Sequence, residues 1–394
     1  MNTPNTRKRE RQYFIDWLRI GLIVSVFFFH VGMIFRPEHW HVNSDVSFSF
    51  LNPIMSWLHL WRMPLLFLVS GIGTYYALGR RTSWQYVKER FKRLYIPFSI
   101  GIFTLVPVQV YIEKIDNYSS LTNFYTHMFE GIYPVGNFSW HHLWFIAYLF
   151  LISIAISPFL GFTRSSRYER FRNKLVTFVS QPLGMNWVLP VMIGSQWYLR
   201  QYFPNSTHAL FNDWAYIVFY LIFFLMGFVL FTSEKVIKAV AKQRKLYLGQ
   251  TVIFTAVMFS MWWVIDIPGT AGKYVYGITE IIIALSCGLT AIGYAKTYFN
   301  KDHKLRGVLN EAIYPFYLLH QPVLIIVGYF VLDWSLPSGV LALLIIFLSL
   351  QLILGIYWFM IKKSDVLRFA FGMKKVTMNE QQKELALEPA VVKK

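Results

Sequence analysis

Arg19 and His30 are ionisable residues in the first long apolar segment, RIGLIVSVFFFH, and ten residues separate them. Ionisable side chains inside a membrane span are costly, and by default they indicate function. On a helix they share one face, because eleven steps turn only about 20° beyond three full turns, and they stand roughly 16 Å apart. Asp16, three residues before Arg19, can pair with it on the same face or lie at the membrane interface.

A second apolar segment, SWLHLWRMPLLFLVSG, places His59 and Arg62 three residues apart. A buried arginine in such a segment needs an anionic partner or ligand. Glu280, in a later apolar segment, is the candidate partner within the protein. Two interpretations follow: Arg62 forms a structural pair with Glu280, or it binds a substrate.

A basic cluster follows in GRRTSWQYVKERFKRLYIP, where Lys88, Arg90, Lys92 and Arg93 precede the next apolar segment. Positive charges of this kind are ordinary on the cytoplasmic side of a membrane protein. Guanidinium groups also match phosphate oxygens, so a phosphate-binding site is the alternative.

Two further segments carry imidazoles. SWHHLWFIAYLF contains His141 and His142, which point about 100° apart on a helix, and no cysteine or carboxylate cluster completes a metal site. We therefore expect no metal. EAIYPFYLLHQPVLIIV contains Tyr317 and His320 between two prolines, which can expose backbone polar groups to a cavity. For the tyrosines, packing in the core is the favoured interpretation.

These residues must be positioned by membrane helices. The chain has 394 residues, of which 55% are hydrophobic and only 15% are charged, whereas a soluble domain carries about a quarter charged residues. We predict an all-α integral membrane fold, a polytopic bundle of about ten transmembrane helices. The predicted spans are 14–35, 49–78, 94–112, 139–160, 180–199, 213–232, 247–265, 275–295, 308–331 and 339–361.

The basic residues indicate the orientation. If the N-terminus is cytoplasmic, 32 of the 38 Lys and Arg residues lie in cytoplasmic segments. The net charge of +18 is therefore explained by topology, and we expect no nucleic-acid partner. We predict a basic cytoplasmic N-tail (1–13), a transmembrane domain (14–361), a polar cytoplasmic tail (362–394) and an outer loop (113–138) that either folds as a cap or lies at the interface.

Several blocks, taken in order, resemble the membrane acyltransferase-3 family of bacterial O-acyltransferases. The family's Arg and His in the first helix correspond to Arg19 and His30, and its Arg-x-x-Arg element corresponds to Arg90 and Arg93. LLFLVSG (65–71), HLWFI (142–146) and YLLHQP (317–322) are similar to further family blocks. EHWHVNS (38–44) and HLWRM (59–63) resemble the glucan biosynthesis protein C branch, which is associated with succinylation of periplasmic glucans.

The resemblance implies transfer of an acyl group, acetyl or succinyl, from cytosolic acyl-CoA to a hydroxyl of a carbohydrate or glucan at the outer face of the bacterial inner membrane. It implies His30 as general base, Arg19 and Arg62 as partners of the reacting groups, and CoA phosphates held by Arg90, Arg93, Lys88 and Lys92. Acyl-CoA is then the donor substrate, with no metal. Expected residues of the acceptor side or surrounding shell are Asp16, His59, His142, Glu280, Tyr317 and His320. The alternative is a multi-pass transporter with an intramembrane His, Arg and Glu relay.

Overall fold

A computed structural model describes residues 12–78, 81–133, 135–204, 206–209, 211–265 and 267–375. Within these ranges the chain is helical. The α-helices are α1 (Tyr13–Ile34), α2 (Leu51–Leu78), α3 (Ser83–Arg90), α4 (Ile96–Glu113), α5 (Leu121–Thr126), α6 (Trp144–Ile156), α7 (Ser166–Val179), α8 (Leu189–Leu199), α9 (Trp214–Leu225), α10 (Glu234–Lys242), α11 (Arg244–Trp263), α12 (Gly269–Tyr298), α13 (Lys304–Val331), α14 (Ser338–Gly355) and α15 (Asp365–Ala370). Nearly all of the predicted N-tail and most of the predicted C-terminal tail lie outside the described residues.

Seven described segments are long and apolar enough to cross a membrane: Tyr13–Ile34, Ser83–Glu113, His141–Leu160, Arg244–Trp263, Gly269–Tyr298, Lys304–Val331 and Ser338–Ile361. An eighth is gained if Trp214–Leu230 and Glu234–Lys242, bent by 110°, form one span. The multi-pass helical fold is confirmed, but the count of ten is not.

Two of the predicted spans differ for visible reasons. The 28-residue α2 is long enough but carries His59 and Arg62 in its middle. The predicted span 180–199 contains a 3₁₀ turn (Gly184–Val188) and the 11-residue α8, which is well short of the about 20 residues that a membrane helix needs.

The chain divides into two compact units. Unit 1 comprises Met1–Val87 and Leu151–Ile313, and unit 2 comprises Lys88–Phe150 and Tyr314–Lys394. Helices α1, α2 and α7 to α12 belong to unit 1, whereas α4, α5, α14 and α15 belong to unit 2; α3, α6 and α13 contribute residues to both.

Glycines bring α2 and α9 of unit 1 into backbone contact. A Cβ on Gly71 would lie 2.0 Å from the Phe224 carbonyl oxygen, and one on Gly227 would lie 1.9 Å from the Leu68 carbonyl oxygen. Small residues at helix crossings permit this approach in membranes. The contact therefore explains LLFLVSG: the glycine at its end fixes α2 against α9.

Three helices end in or continue through π-helical turns: Phe91–Tyr95, Met226–Leu230 and Ile356–Ile361. Such turns are rare, and they occur frequently at functional sites. The first contains Lys92 and Arg93 of the basic cluster.

The predicted outer loop 113–138 is a folded segment of unit 2. It contains α5 and an isolated bridge between Ile132 and Phe138. The Lys114 ammonium donates to the Gly136 carbonyl at 2.7 Å, and the Asn137 amide donates to the Tyr118 hydroxyl at 2.6 Å. These contacts join the beginning of the segment to its end.

Candidate active site

Arg19 and His30 lie on one continuous helix, α1, as the sequence predicts. The Arg19 Nη1 donates a hydrogen bond to Asn310 Oδ1 at 3.3 Å, which orients the guanidinium from α13. Both Arg19 and His30 are partly exposed, so neither is sealed in the core. The sequence did not indicate a contribution of Asn310, because nothing in its local pattern identifies its partner.

The His30 imidazole lies against the Trp40 indole. The ring centroids are 5.7 Å apart and the planes differ by 16°. Trp40 is held by its own segment, because its backbone N–H donates to Asn43 Oδ1 at 2.7 Å and the Asn43 amide donates to the Glu38 carbonyl at 3.2 Å. EHWHVNS therefore forms a compact turn that brings an aromatic ring to the imidazole, a contact that the sequence did not predict.

Arg62 is almost completely buried, with 2% of its surface exposed. Its Cζ lies 4.0 Å from the centroid of the Phe29 ring, a cation–π contact between α2 and α1. Phe29 also packs edge-on against His30, with centroids 5.2 Å apart. One phenylalanine therefore contacts both Arg62 and the imidazole that the sequence predicts to be the base.

The alternative pairing of Arg62 with Glu280 is not formed among the described residues. The groups that act on the Glu280 carboxyl are Arg200 and Tyr276, and Arg62 is not among them. Arg62 Nε and Nη1 have no hydrogen-bond partner in the described part of the chain.

His59 contacts a second histidine within unit 1. Its ring packs edge-on against His208, with centroids 5.7 Å apart. His208 adopts a left-handed backbone conformation with φ of 51°, which is uncommon for a residue other than glycine. Burial lowers the pKa of His208 to about 3, and the charges of His59 and Arg200 act in the same direction.

Asp213 holds the His208 segment in place. Its fully buried carboxylate accepts hydrogen bonds from the backbone N–H groups of Thr207 at 2.9 Å, His208 at 3.1 Å and Tyr216 at 3.2 Å. Arg200 pairs with it at 3.5 Å. Sequence analysis missed this arrangement; the helix-capping aspartate just before an apolar run is the signal that was available.

Asp16 pairs with a residue far away in sequence. Arg306 Nη1 donates to Asp16 Oδ2 at 2.6 Å, while Arg306 Nε donates to Asp302 at 2.8 Å. Since Arg306 is only 6% exposed, this is a sheltered ion pair that joins α1 to α13. Its position indicates a structural contribution of Asp16.

The basic cluster lies in unit 2, on the last turn of α3 and the π-helical turn that follows it. Lys88 and Lys92 are exposed, whereas Arg90 and Arg93 are half-buried. Arg93 Nε lies 3.4 Å from Glu89, and its carbonyl accepts a hydrogen bond from the Tyr314 hydroxyl at 2.9 Å. The π-helical backbone around Arg93 is thereby fixed to α13.

His142, Tyr317 and His320 also meet within unit 2. The Tyr317 hydroxyl donates to the His142 carbonyl, and the His142 Nε2 is 3.1 Å from the Leu318 carbonyl. The His142 and His320 rings pack edge-on, with centroids 5.2 Å apart. HLWFI and YLLHQP are thus two halves of one buried contact, which ties the N-terminal end of α6 to the α13 segment between its prolines.

Comparisons with known proteins identify the family of the chain. Residues 12–360 match the acyltransferase domain that defines the acyltransferase-3 family. Curated relatives named glucans biosynthesis protein C, from Salmonella paratyphi B and Salmonella enteritidis PT4, are 24% identical to the chain over 344 residues, covering 82% of this chain and 84% of theirs. The relative from Salmonella heidelberg is 23% identical over the same lengths. No solved structure matches the chain significantly.

The family match covers nearly all of the described helices, including those that carry Arg19, His30, Arg62 and the basic cluster. The chain is therefore a multi-pass membrane protein that belongs to the acyltransferase-3 family.

Proposed function

We propose that the protein transfers an acyl group, acetyl or succinyl, from cytosolic acyl-CoA to a hydroxyl of a carbohydrate or glucan acceptor at the outer face of the bacterial inner membrane. Both termini then lie in the cytoplasm, as the distribution of basic residues predicts. The names of the curated relatives support a glucan as the acceptor class.

The observation that carries the proposal is the environment of His30. An imidazole that is partly exposed, oriented by a stacked indole and placed on the same helix as a hydrogen-bonded arginine is suited to general-base catalysis. Histidine titrates near neutral pH, and a positioned base typically contributes on the order of 10²–10⁴-fold to the rate.

In the proposed step, a ring nitrogen of His30 removes the proton of the acceptor hydroxyl while the hydroxyl oxygen attacks the thioester carbonyl carbon. The carbon–sulfur bond then breaks and an ester forms. The imidazolium returns the proton to the departing CoA thiolate, so that the base is regenerated. Arg19 orients the donor, and Arg62 either stabilises the developing oxyanion or recognises the acyl group.

Donor binding is assigned to the basic cluster. Arg90 and Arg93, helped by Lys88 and Lys92, bind the phosphates of CoA, because guanidinium groups form paired hydrogen bonds with phosphate oxygens. The half-buried position of the two arginines and the fixed backbone of the π-helical turn support a built site rather than a flexible basic loop.

The direct test uses purified full-length protein, radiolabelled acetyl-CoA or succinyl-CoA, and glucans extracted from the envelope of a strain that lacks the gene. We expect label in the glucan fraction with wild-type protein and none with His30→Ala. The proposal fails if no glycan pool accepts label while proteoliposomes containing the protein show acyl-CoA or glycan flux, which is the transporter result.

A further inference from the structure

Arg62 is a buried cation for which the described part of the chain supplies no anion. It has 2% of its surface exposed, its Nε and Nη1 lack hydrogen-bond partners, and it forms no ion pair with a described carboxylate. A buried charge that is not paired strongly opposes folding, so a site that keeps one is expected to receive an opposite charge from a ligand.

Two carboxylates of unit 1, Glu280 and Asp213, interact with groups other than Arg62. Glu280 interacts with Arg200 and Tyr276. Asp213 is saturated by backbone N–H groups and by Arg200. Neither carboxylate forms an ion pair with Arg62, and the residue that acts on it electrostatically, Tyr220, is a phenol and not a carboxylate.

The aromatic contact determines how a ligand can approach. The Arg62 Cζ lies 4.0 Å from the centroid of the Phe29 ring. The N–H donors of a guanidinium lie in its own plane. His59, one helical turn before Arg62 on α2, contacts the same phenylalanine with centroids 6.1 Å apart. In-plane donors match a planar carboxylate, which accepts two parallel hydrogen bonds from an arginine edge.

We propose that Arg62 binds a carboxylate group of a substrate. This inference rests on the proposed acyl transfer. The carboxylate has two sources: the far end of the transferred acyl chain, as in a dicarboxylic thioester, or an acidic sugar of the acceptor. A carboxylate carries its full charge in the bound ground state and therefore compensates Arg62 for as long as the substrate is bound, whereas an oxyanion exists only during the chemical step.

The contact of Phe29 with both side chains links this site to the reaction. The ring contacts the Arg62 guanidinium and packs edge-on against the His30 imidazole. A substrate carboxylate held by Arg62 is therefore separated from the proposed base by one aromatic ring. Loss of the Arg62 guanidinium should change the substrate specificity.

The test measures binding ratios with purified full-length protein. The donor arm compares the Kd of succinyl-CoA with that of acetyl-CoA, and the acceptor arm compares an oligosaccharide containing uronic acid with its neutral counterpart. Wild-type protein should prefer the carboxylated member of one pair by roughly tenfold or more, the expected effect of a hydrogen-bonded charge pair. Arg62→Gln should abolish that preference, and the arm in which it disappears identifies the source.

Lys273→Gln is the matched control, because it removes an exposed positive charge that takes no part in these contacts; it should leave both ratios unchanged. The inference is overturned if wild-type protein shows no preference in either arm, a result that requires no variant, or if Arg62→Gln retains the wild-type preference. Because binding is measured without turnover, failure of acyl transfer would refute the proposed function while the carboxylate site is still tested by its own ratios.

Discussion

The His30 imidazole and the Trp40 indole are stacked, with ring centroids 5.7 Å apart and planes 16° from parallel. His30 comes from α1 and Trp40 from the turn that follows it, so the contact depends on the fold of residues 38–44. A base that must meet a hydroxyl within hydrogen-bond distance gains from a fixed ring plane. The indole lies against this ring, and we expect it to help fix the ring plane.

Trp40→Ala should therefore reduce turnover without a comparable loss of donor binding. We expect kcat to fall by roughly tenfold to a hundredfold, since small misplacement of a catalytic group can have such an effect. Trp40→Phe keeps a flat ring and should recover part of the activity. Steady-state kinetics with labelled acyl-CoA, together with a Kd measurement, would check this; unchanged kcat in Trp40→Ala would contradict the assigned role of the indole.

Replacing Arg90 and Arg93 together by alanine should weaken donor binding. We expect the Kd of acyl-CoA to rise by roughly tenfold or more, because hydrogen bonds between charged groups are lost. Isothermal titration with a non-transferable acyl-CoA analogue measures the change.

The chain contains a control with the same spacing and charge. Arg167 and Arg170 form a second Arg-x-x-Arg element on α7, and both are exposed. Their double replacement by alanine should leave the donor Kd within about twofold, since exposed charges in water contribute little. An equal loss of donor affinity in both double variants would show that Arg90 and Arg93 contribute only through general positive charge.

Gly71→Ala should destabilise the protein without touching the candidate site. The new Cβ would meet the Phe224 carbonyl at 2.0 Å, so α2 and α9 must separate. We expect a loss of about 1–3 kcal/mol, the usual effect of overpacking. Thermal unfolding in detergent should show a lower midpoint for Gly71→Ala. Gly249→Ala on α11, where a Cβ meets nothing within 4 Å, should show an equal or higher midpoint.

His208 should make stability depend on pH. Its pKa is lowered from 6.5 to about 3 in the folded protein, chiefly by burial. Below about pH 6.5 the His208 ring binds a proton in the unfolded chain but not in the folded protein, so the free energy of unfolding falls as the pH decreases. This residue contributes up to about 1.4 kcal/mol per pH unit.

His208→Asn removes the titrating ring and keeps a residue type that tolerates the left-handed backbone conformation. Its melting midpoint should fall less than that of the wild-type protein between about pH 7.5 and about pH 5. The same decrease in both proteins would show that His208 does not control the acid sensitivity.

The sequence was sufficient to predict the membrane class, the helical fold and the placement of Arg19 and His30 on one helix. Each depends on local properties: the length and polarity of apolar segments and the periodicity of a single helix. The number of spans was less accessible, because α2 carries His59 and Arg62 and the predicted span 180–199 divides into a 3₁₀ turn and the short α8.

The interaction partners of residues on different helices could be identified only from the tertiary structure. Asp16 pairs with Arg306, Arg19 is hydrogen-bonded to Asn310, and Arg62 packs on Phe29. Every one of these contacts joins residues on different helices, and their rotation and depth relative to each other are set by packing, which no local pattern encodes. The sequence determined that a costly arginine lies within α2; only the fold decided that Arg62 Nε and Nη1 have no hydrogen-bond partner among the described residues and that Glu280 interacts with Arg200 instead.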